Sequence, residues 1–179
     1  LSSSSAASDV YKRQETAEIS VRSAITGHLV VSTLHTNDAI SSIVRLADMG
    51  VAPYLISNSV VGIVAQRLVR KVCQFCKYEE PATAEDIAIV GDGIPMITRG
   101  KGCKVCNNTG YKGRISIHEM VYIDKTLKRM IARSADSQEM LEYAKKTQGM
   151  RSLMDSAIDL VKEGVTTPEE VMKIAYYSD

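Results

Sequence analysis

Apolar residues recur at helical spacing in the first part of the chain and are interrupted by one strand-like stretch. Residues 15–26 place several apolar side chains on one helical face, and Gly27 follows as a helix C-cap. Residues 28–33, with the sequence HLVVST, are typical of a strand buried on both faces. Asp38 and the two polar residues before it offer N-cap oxygens to a helix that stops at Gly50. This order of helix, strand, loop and helix predicts an α/β fold.

The next apolar stretch predicts one long helix, and a strand and further helices follow later. Pro53 is allowed in a first helical turn, and apolar residues continue at helical spacing from there to Cys73. Residues 111–121 alternate between apolar and polar positions and predict a strand. Helices are then predicted to begin near Asp124, Asp136, Arg151 and Thr167. In the last of these helices, Glu170 can close a capping box with its N-cap residue.

The first fourteen residues, LSSSSAASDVYKRQ, differ from the rest of the chain. They are rich in serine, lack hydrophobic periodicity and end where the patterned helix begins at Glu15. They have neither the positive amino-terminal region nor the apolar stretch of a targeting signal. We interpret residues 1–14 as a leader that is foreign to the protein or disordered, and a flexible native terminus is the alternative.

Composition narrows the class of protein. The chain has 179 residues, a formal net charge of +1 and 24% charged residues, as expected for an ordinary globular protein. Nothing in this overall balance attracts nucleic acid or an anionic membrane. The longest apolar runs are only a few residues, far short of the ~20 that cross a bilayer. We therefore expect a cytoplasmic protein.

Four cysteines form two closely spaced pairs, and the chain contains no others. Cys73 and Cys76 make the first CxxC pair, and Cys103 and Cys106 make the second after 26 intervening residues. Two residues between cysteines let both sulfurs face one point, and two such turns supply the four thiolates that tetrahedral Zn²⁺ accepts at roughly 2.3 Å. Two disulfides, a redox pair or a rubredoxin-like iron site are the alternatives. A closed four-cysteine site indicates a structural metal rather than a catalytic one.

Polar residues follow the predicted strand at 28–33. Thr33 and His35 lie in the loop beyond its carboxyl end, where open α/β sheets bind ligands. The same loop is also compatible with a simple helix N-cap beside a surface histidine. The residues alone leave both interpretations open.

Several stretches together resemble the ATPases that drive type II secretion and type IV pilus assembly. The run from Thr26 to Cys73 resembles the histidine box and the following helices of that family, and the two CxxC pairs follow in the family's order. Residues 109–114, TGYKGR, and the carboxy-terminal GVTTPEEV complete a resemblance that covers roughly residues 15–179. It implies hexamers of RecA-like domains that hydrolyse ATP at subunit boundaries, and the zinc module implies the assembly branch rather than the retraction motors.

The resemblance also implies a domain organisation and a set of site residues. Residues 15–72 would be the carboxy-terminal part of the RecA-like sheet with its flanking helices, residues 73–106 the zinc module, and residues 107–179 a strand segment with a small helical domain. By the same resemblance, the nucleotide site would include Thr33, His35, Gln66 and Arg67, with His35 as a contact or sensor of the γ-phosphate. The metal ligands would be Cys73, Cys76, Cys103 and Cys106.

One motif of the family is missing from the sequence. No G-x-x-x-x-G-K-[ST] phosphate-binding loop occurs anywhere in it. We therefore expect the chain alone to be inactive, with ATP and Mg²⁺ bound only in an intact protein. That protein would be a homo-hexamer peripheral at the inner face of the cytoplasmic membrane, contacting an inner-membrane platform protein but not nucleic acid directly. The alternative is a nonenzymatic zinc-ribbon module that binds a protein or a nucleic acid.

Overall fold

The computed structural model describes the backbone of residues 3–176 and the side chains of residues 14–175. Its fold is α/β, as predicted. The helices and strands are α1 Ser3–Ile25, α2 Ala39–Asp48, α3 Pro53–Ser59, β1 Gly62–Val72, β2 Lys77–Pro81, α4 Ala84–Val90, β3 Met96–Gly100, β4 Tyr111–Tyr122, α5 Lys125–Ala132, α6 Ser137–Gln148, α7 Leu153–Lys162 and α8 Pro168–Tyr176. Contacts divide them into two compact units. The first runs to Val64 and includes Met120–Met150, and the second joins Ala65–Glu119 to the chain from Arg151 onward.

The first unit is helical. Helix α3 packs against α1, α2 and α5, and α2 also contacts α6. The predicted cap of α2 is present, since an Asp38 carboxylate oxygen accepts a hydrogen bond from the Ser41 amide at 2.7 Å. Asp124 caps α5 in the same way. The core of this unit is aliphatic, with Ile40, Ile43, Val51, Ile56, Leu127, Ile131, Met140 and Ala144 all buried.

Helix α1 begins earlier than the sequence pattern predicts. Its backbone is helical from Ser3, whereas the periodicity places the start near Glu15. Residues 6–14 contain Ala, Lys, Arg and Gln but neither Gly nor Pro, so nothing in them interrupts a helix that continues from Glu15 toward the amino terminus. The leader predicted at residues 1–14 stays a prediction, because residues 1–2 and the side chains before Gln14 lie outside the described part of the chain.

The prediction of a buried strand at residues 28–33 is wrong for this structure. These residues are in no helix or strand, and the side chains of Leu29 and Val31 are 90% and 87% exposed. Neither of the two sheets formed by the described residues includes this segment. A strand needs a neighbouring strand for its amide hydrogen bonds, and without one the β-branched run has no regular structure.

The prediction of one long helix from Pro53 to Cys73 is also wrong. Helix α3 ends at Ser59, and the chain continues as strand β1 from Gly62. Buried positions along β1 recur at Ala65, Val69 and Val72, a spacing that a helix would also show. Short apolar runs cannot be assigned by periodicity alone, and the β-branched residues on both sides of Gly62 favour the strand.

Two antiparallel ribbons and three helices build the second unit. Strand β1 pairs with β4, which confirms the strand predicted near residues 111–121, and the amide of Cys73 donates to the carbonyl of Gly110 at 2.9 Å. Strand β2 pairs with β3 in a register that places Lys77 opposite Gly100. Helices α7 and α8 pack against each other, and α4 packs against α8. The domain boundaries at residues 73 and 107 remain a prediction.

Partly buried ion pairs attach the last helix to the strands of this unit. Glu170 on α8 is 5% exposed and accepts hydrogen bonds from the Arg70 amide at 2.9 Å and from its guanidinium at 2.8 and 3.0 Å. Its carboxylate is therefore used for this distant partner rather than for the predicted capping box. Arg99 on β3 makes a similar junction, since it pairs with Asp86 on α4, Glu80 on β2 and Glu169 on α8.

Replacing Glu170 with Gln should lower the free energy of unfolding by about 2 kcal/mol at pH 7, because charge-assisted hydrogen bonds are lost. Burial alone would raise the pKa of Glu170, but hydrogen bonds from Arg70 and Lys173 lower it from 4.5 to about 2. This stabilisation is present above the unfolded-state pKa and is lost as the pH falls toward 2.

Urea titrations at pH 7 and pH 3 measure the effect. The difference in free energy of unfolding between the wild type and Glu170→Gln should be smaller at pH 3 than at pH 7. Glu163→Gln, at an exposed position on the same unit, should have nearly the wild-type free energy of unfolding at either pH. A gap that stays constant between the two pH values would contradict the assignment.

Candidate metal centre

The first CxxC pair lies at the exit of strand β1. Cys73 follows directly after Val72, and the amide of Cys76 donates to the carbonyl of Cys73 at 3.2 Å to close a tight turn. The carbonyl of Cys76 then accepts from the amide of Lys101 at 3.1 Å. Both sulfurs of this turn are thereby held close to the chain that carries the second pair.

The second CxxC pair lies in a one-turn 3₁₀ helix. The amide of Cys106 donates to the carbonyl of Cys103 at 3.2 Å, which repeats the turn of the first pair. The chain leaves this turn through Asn107 and Asn108, whose φ angles are +51° and +60°. Asparagine tolerates this left-handed region better than most residues. The two asparagines directly after Cys106 are the sequence signal for this left-handed exit from the turn.

Two glycines let the backbones around the site approach each other closely. A Cβ built on Gly110 would lie 2.6 Å from the carbonyl oxygen of Gly100, and one built on Gly100 would lie 2.2 Å from the oxygen of Gly110. Gly110 also has a φ of +78°. Glycine is required here both for the contact and for the conformation.

The four sulfurs converge on one point. Three of their separations are 3.7, 3.8 and 3.9 Å, and all four atoms lie within 4.8 Å of one another. Ligands about 2.3 Å from a tetrahedral centre are ~3.8 Å apart, so the arrangement fits a metal with four thiolate ligands. The cysteines are free, and these distances exclude the ~2.05 Å bond of a disulfide. Cys73 and Cys106 are buried.

The thiols of this cluster differ in how readily they ionise. Burial raises the pKa of Cys76 to about 12. Burial also opposes ionisation of Cys106, but amide hydrogen bonds from Cys103 and Gly110 lower its pKa to about 6. A metal that binds all four thiolates must therefore displace protons, and its affinity must depend on pH.

The residues predicted for a nucleotide site fall in both units. Thr33 and His35 belong to the first unit and are exposed in the irregular segment after α1. Gln66 and Arg67 belong to the second unit, on strand β1, where Gln66 is exposed and Arg67 half-buried. Their roles stay predictions, whereas the four cysteines come together as the spacing predicts.

Comparison with known proteins identifies the family. Residues 12–173 match the family model described as type II/IV secretion system protein. The chain belongs to this family.

Several curated members of this family are similar to the chain over most of its length. Type II secretion system protein E of Pseudomonas aeruginosa is 44% identical over 164 residues, which are 90% of this chain and 32% of that protein. The type II secretion system ATPase E of Vibrio cholerae is 43% identical, over 89% of the chain and 32% of its own length. The type IV pilus assembly ATPase PilB of Thermus thermophilus is 41% identical, over 88% of the chain and 18% of its own length. The chain thus spans a third or less of these relatives.

A solved structure also has a similar fold. The pilus retraction motor PilT, crystallised with ADP, superposes with a TM-score of 0.60 and 23% identity over 89% of this chain and 36% of PilT. At that identity the likeness concerns the fold alone. Within residues 3–176, no helix is long and apolar enough to span a bilayer.

Replacing Gly110 with Ala should destabilise this type II/IV secretion family protein beside the four-cysteine cluster. The new Cβ would collide with the Gly100 carbonyl, in addition to the cost of the left-handed conformation. Gly113→Ala is the matched control, because Gly113 has a φ of +79° but nothing within 4 Å of its Cβ position. We expect a loss of about 1 kcal/mol for the control and at least ~3 kcal/mol for Gly110→Ala, measured by thermal unfolding. Equal losses would show that the close contact has no importance.

Proposed function

We propose that this chain is the carboxy-terminal portion of an ATPase motor that powers type II protein secretion or type IV pilus assembly. The observation that carries the proposal is the family match over residues 12–173, together with relatives whose names describe secretion and pilus assembly ATPases. The chain matches a third or less of those proteins and has no phosphate-binding G-x-x-x-x-G-K-[ST] loop. On this proposal it cannot hydrolyse ATP alone.

In the intact protein, residues 15–72 would complete a RecA-like domain and contribute to its nucleotide site. His35 is exposed in the loop after residues 28–33, and an imidazole there can donate a hydrogen bond to the γ-phosphate as charge develops on it. Thr33, Gln66 and Arg67 would be further contacts. ATP and Mg²⁺ would be held mainly by parts of the protein that this chain does not include.

Zinc is the metal that we propose for the four cysteines. The sulfur separations of 3.7–3.9 Å suit tetrahedral thiolate coordination, and all four positions are taken by protein ligands. Such a site has no open position for water or substrate, so its role would be structural. The metal would hold the two CxxC turns together and contribute its binding free energy to the folding of this region.

The assembled motor would be a homo-hexamer on the inner face of the cytoplasmic membrane. ATP hydrolysis at subunit boundaries would drive a movement passed to an inner-membrane platform protein and from there to pilin-like subunits. This part of the proposal rests on the family alone. Sequencing the native locus upstream of the Glu15 codon tests it directly, since we expect a continuous reading frame that encodes a phosphate-binding loop.

Changing His35 to Asn in the intact protein should lower kcat for ATP hydrolysis roughly 100-fold and leave ATP affinity almost unchanged, because the lost donor acts on charge that develops in the transition state. His28→Asn is the matched control, since His28 is also exposed but its ring contacts Thr26 and the carbonyl of Ser23. Phosphate release and equilibrium binding of a labelled ATP analogue give the two readouts.

The isolated chain should release no phosphate from ATP above background. Turnover by the purified chain that disappears in His35→Asn would contradict the proposed inactivity. A missing upstream phosphate-binding loop, combined with a stable monomer that binds DNA with steep salt dependence, would instead favour a nonenzymatic zinc-ribbon module.

The purified chain should contain one zinc per molecule, as measured by elemental analysis. Cys76→Ser should remove the metal and lower the thermal midpoint substantially, whereas Gln74→Ala, an exposed residue within the same turn, should keep both. Iron in place of zinc, or two disulfides in mass spectra of the unreduced protein, would show that the metal assignment is wrong.

A further inference from the structure

Positive charge is concentrated in two stretches of the second unit. Residues 65–78 and 99–118 contain nine Lys and Arg residues and no Asp or Glu. The rest of the chain contains thirteen Lys and Arg residues against twenty-one acids. The net charge of +1 therefore conceals a strongly basic region around the four cysteines.

Several of these cations are exposed and have no ion-pair partner among the described residues. They are Lys77, Lys101, Lys104, Lys112 and Arg114. Backbone hydrogen bonds hold the two stretches together, from Lys101 to Cys76 and from Cys73 to Gly110. Cations that are distant in sequence thus lie on two stretches that meet at the four cysteines.

Exposed apolar side chains lie among these cations. Phe75, the one phenylalanine of the chain, is 74% exposed, and Val105 is 43% exposed. Each directly precedes the second cysteine of its CxxC pair, so the tight turn holds it away from the sulfurs. The Nζ of Lys112 lies 5.8 Å from the centroid of the Phe75 ring. An aromatic ring on the first CxxC turn and a cation on β4 therefore lie side by side.

A depression of about 230 Å³ adjoins Lys112. It is lined by Arg70, Thr109, Tyr111, Gly113 and Arg114. The Arg70 guanidinium lies 3.9 Å from the Tyr111 ring centroid and is bonded to Glu170, and the Tyr111 hydroxyl shares a 2.8 Å hydrogen bond with Thr167. These walls are fixed by internal contacts, whereas no group among the residues that the structure describes accepts a hydrogen bond from the Arg114 guanidinium.

Phe75, Lys112 and Arg114 form a surface that we call the knuckle face. We propose that the knuckle face docks an acidic segment of a partner protein. One carboxylate would enter the depression and bind Arg114, a second would pair with Lys112, and an apolar side chain would lie on Phe75. A concave donor site suits a single side chain better than a flat bilayer, and the exposed Phe75 ring offers an apolar contact that the phosphates of a DNA duplex cannot use. The proposal does not depend on the ATPase role.

The probe is a fluorescein-labelled peptide of repeated Glu-Glu-Leu, titrated with the zinc-loaded chain and followed by fluorescence anisotropy. Lys112→Glu combined with Arg114→Glu should weaken binding at least tenfold, because both charge pairs become repulsive. Phe75→Ser should weaken it several-fold while keeping the salt dependence, since no charge changes. Lys145→Glu with Lys146→Glu, an equal charge change at exposed positions on α6, should leave binding within about twofold apart from the general effect of net charge.

Zinc content and circular dichroism establish that each variant is folded before its affinity is compared. Absence of peptide binding, or equal weakening in the α6 control, would overturn the proposal. The proposal would also be overturned if phosphatidylglycerol vesicles or duplex DNA bound more strongly than the peptide and the Lys112/Arg114 variant lost that binding. Either result would assign the knuckle face to another class of partner.

Discussion

The convergence of four cysteine sulfurs is the constraint on which the second unit depends most. Between Cys73 and Gly110 the chain buries few apolar side chains, with Val90, Ile94 and Ile97 as its main aliphatic contribution. So small a core cannot by itself offset the conformational entropy of ordering the segment. The four sulfurs lie at the separations expected for ligands of one tetrahedral ion, and their convergence fixes the path of the segment where the core does not. The glycines, the paired turns and the left-handed asparagines all serve to bring these four atoms together.

Charged groups then connect this four-cysteine region to the helices of the same unit. Arg99 leaves the end of β3 and reaches carboxylates on three other elements, while Arg70 is bound both by its amide and by its guanidinium to Glu170. Each arginine is partly shielded from solvent, and the carboxylates of Asp86 and Glu170 would be costly to bury without their arginine partners. The last helix is thus positioned by ion pairs as well as by its aliphatic face.

Features that depend on residues close together in the sequence were predicted better than features that depend on distant residues. The turn within each CxxC pair and the helix caps at Asp38 and Asp124 depend on residues a few positions apart, and the sequence patterns predicted both. The two pairs also come together as their spacing predicts, while the metal itself stays a prediction. Strand β1 was missed because its apolar spacing also suits a helix, and the β-branched residues around Gly62 together with the pairing to β4 distinguish the two. The Arg70 and Glu170 pair joins positions 100 residues apart, and no local pattern reveals such a partner.

Residues 28–33 affect how readily this protein aggregates. The segment HLVVST is β-prone, carries no carboxylate, lysine, arginine or proline, and leaves Leu29 and Val31 in water. Segments of that kind are templates for strand pairing between different molecules. At high concentration the chain should therefore be prone to aggregate through this stretch. A fusion partner or neighbouring domain that supplies a strand beside it would act as its solubility factor.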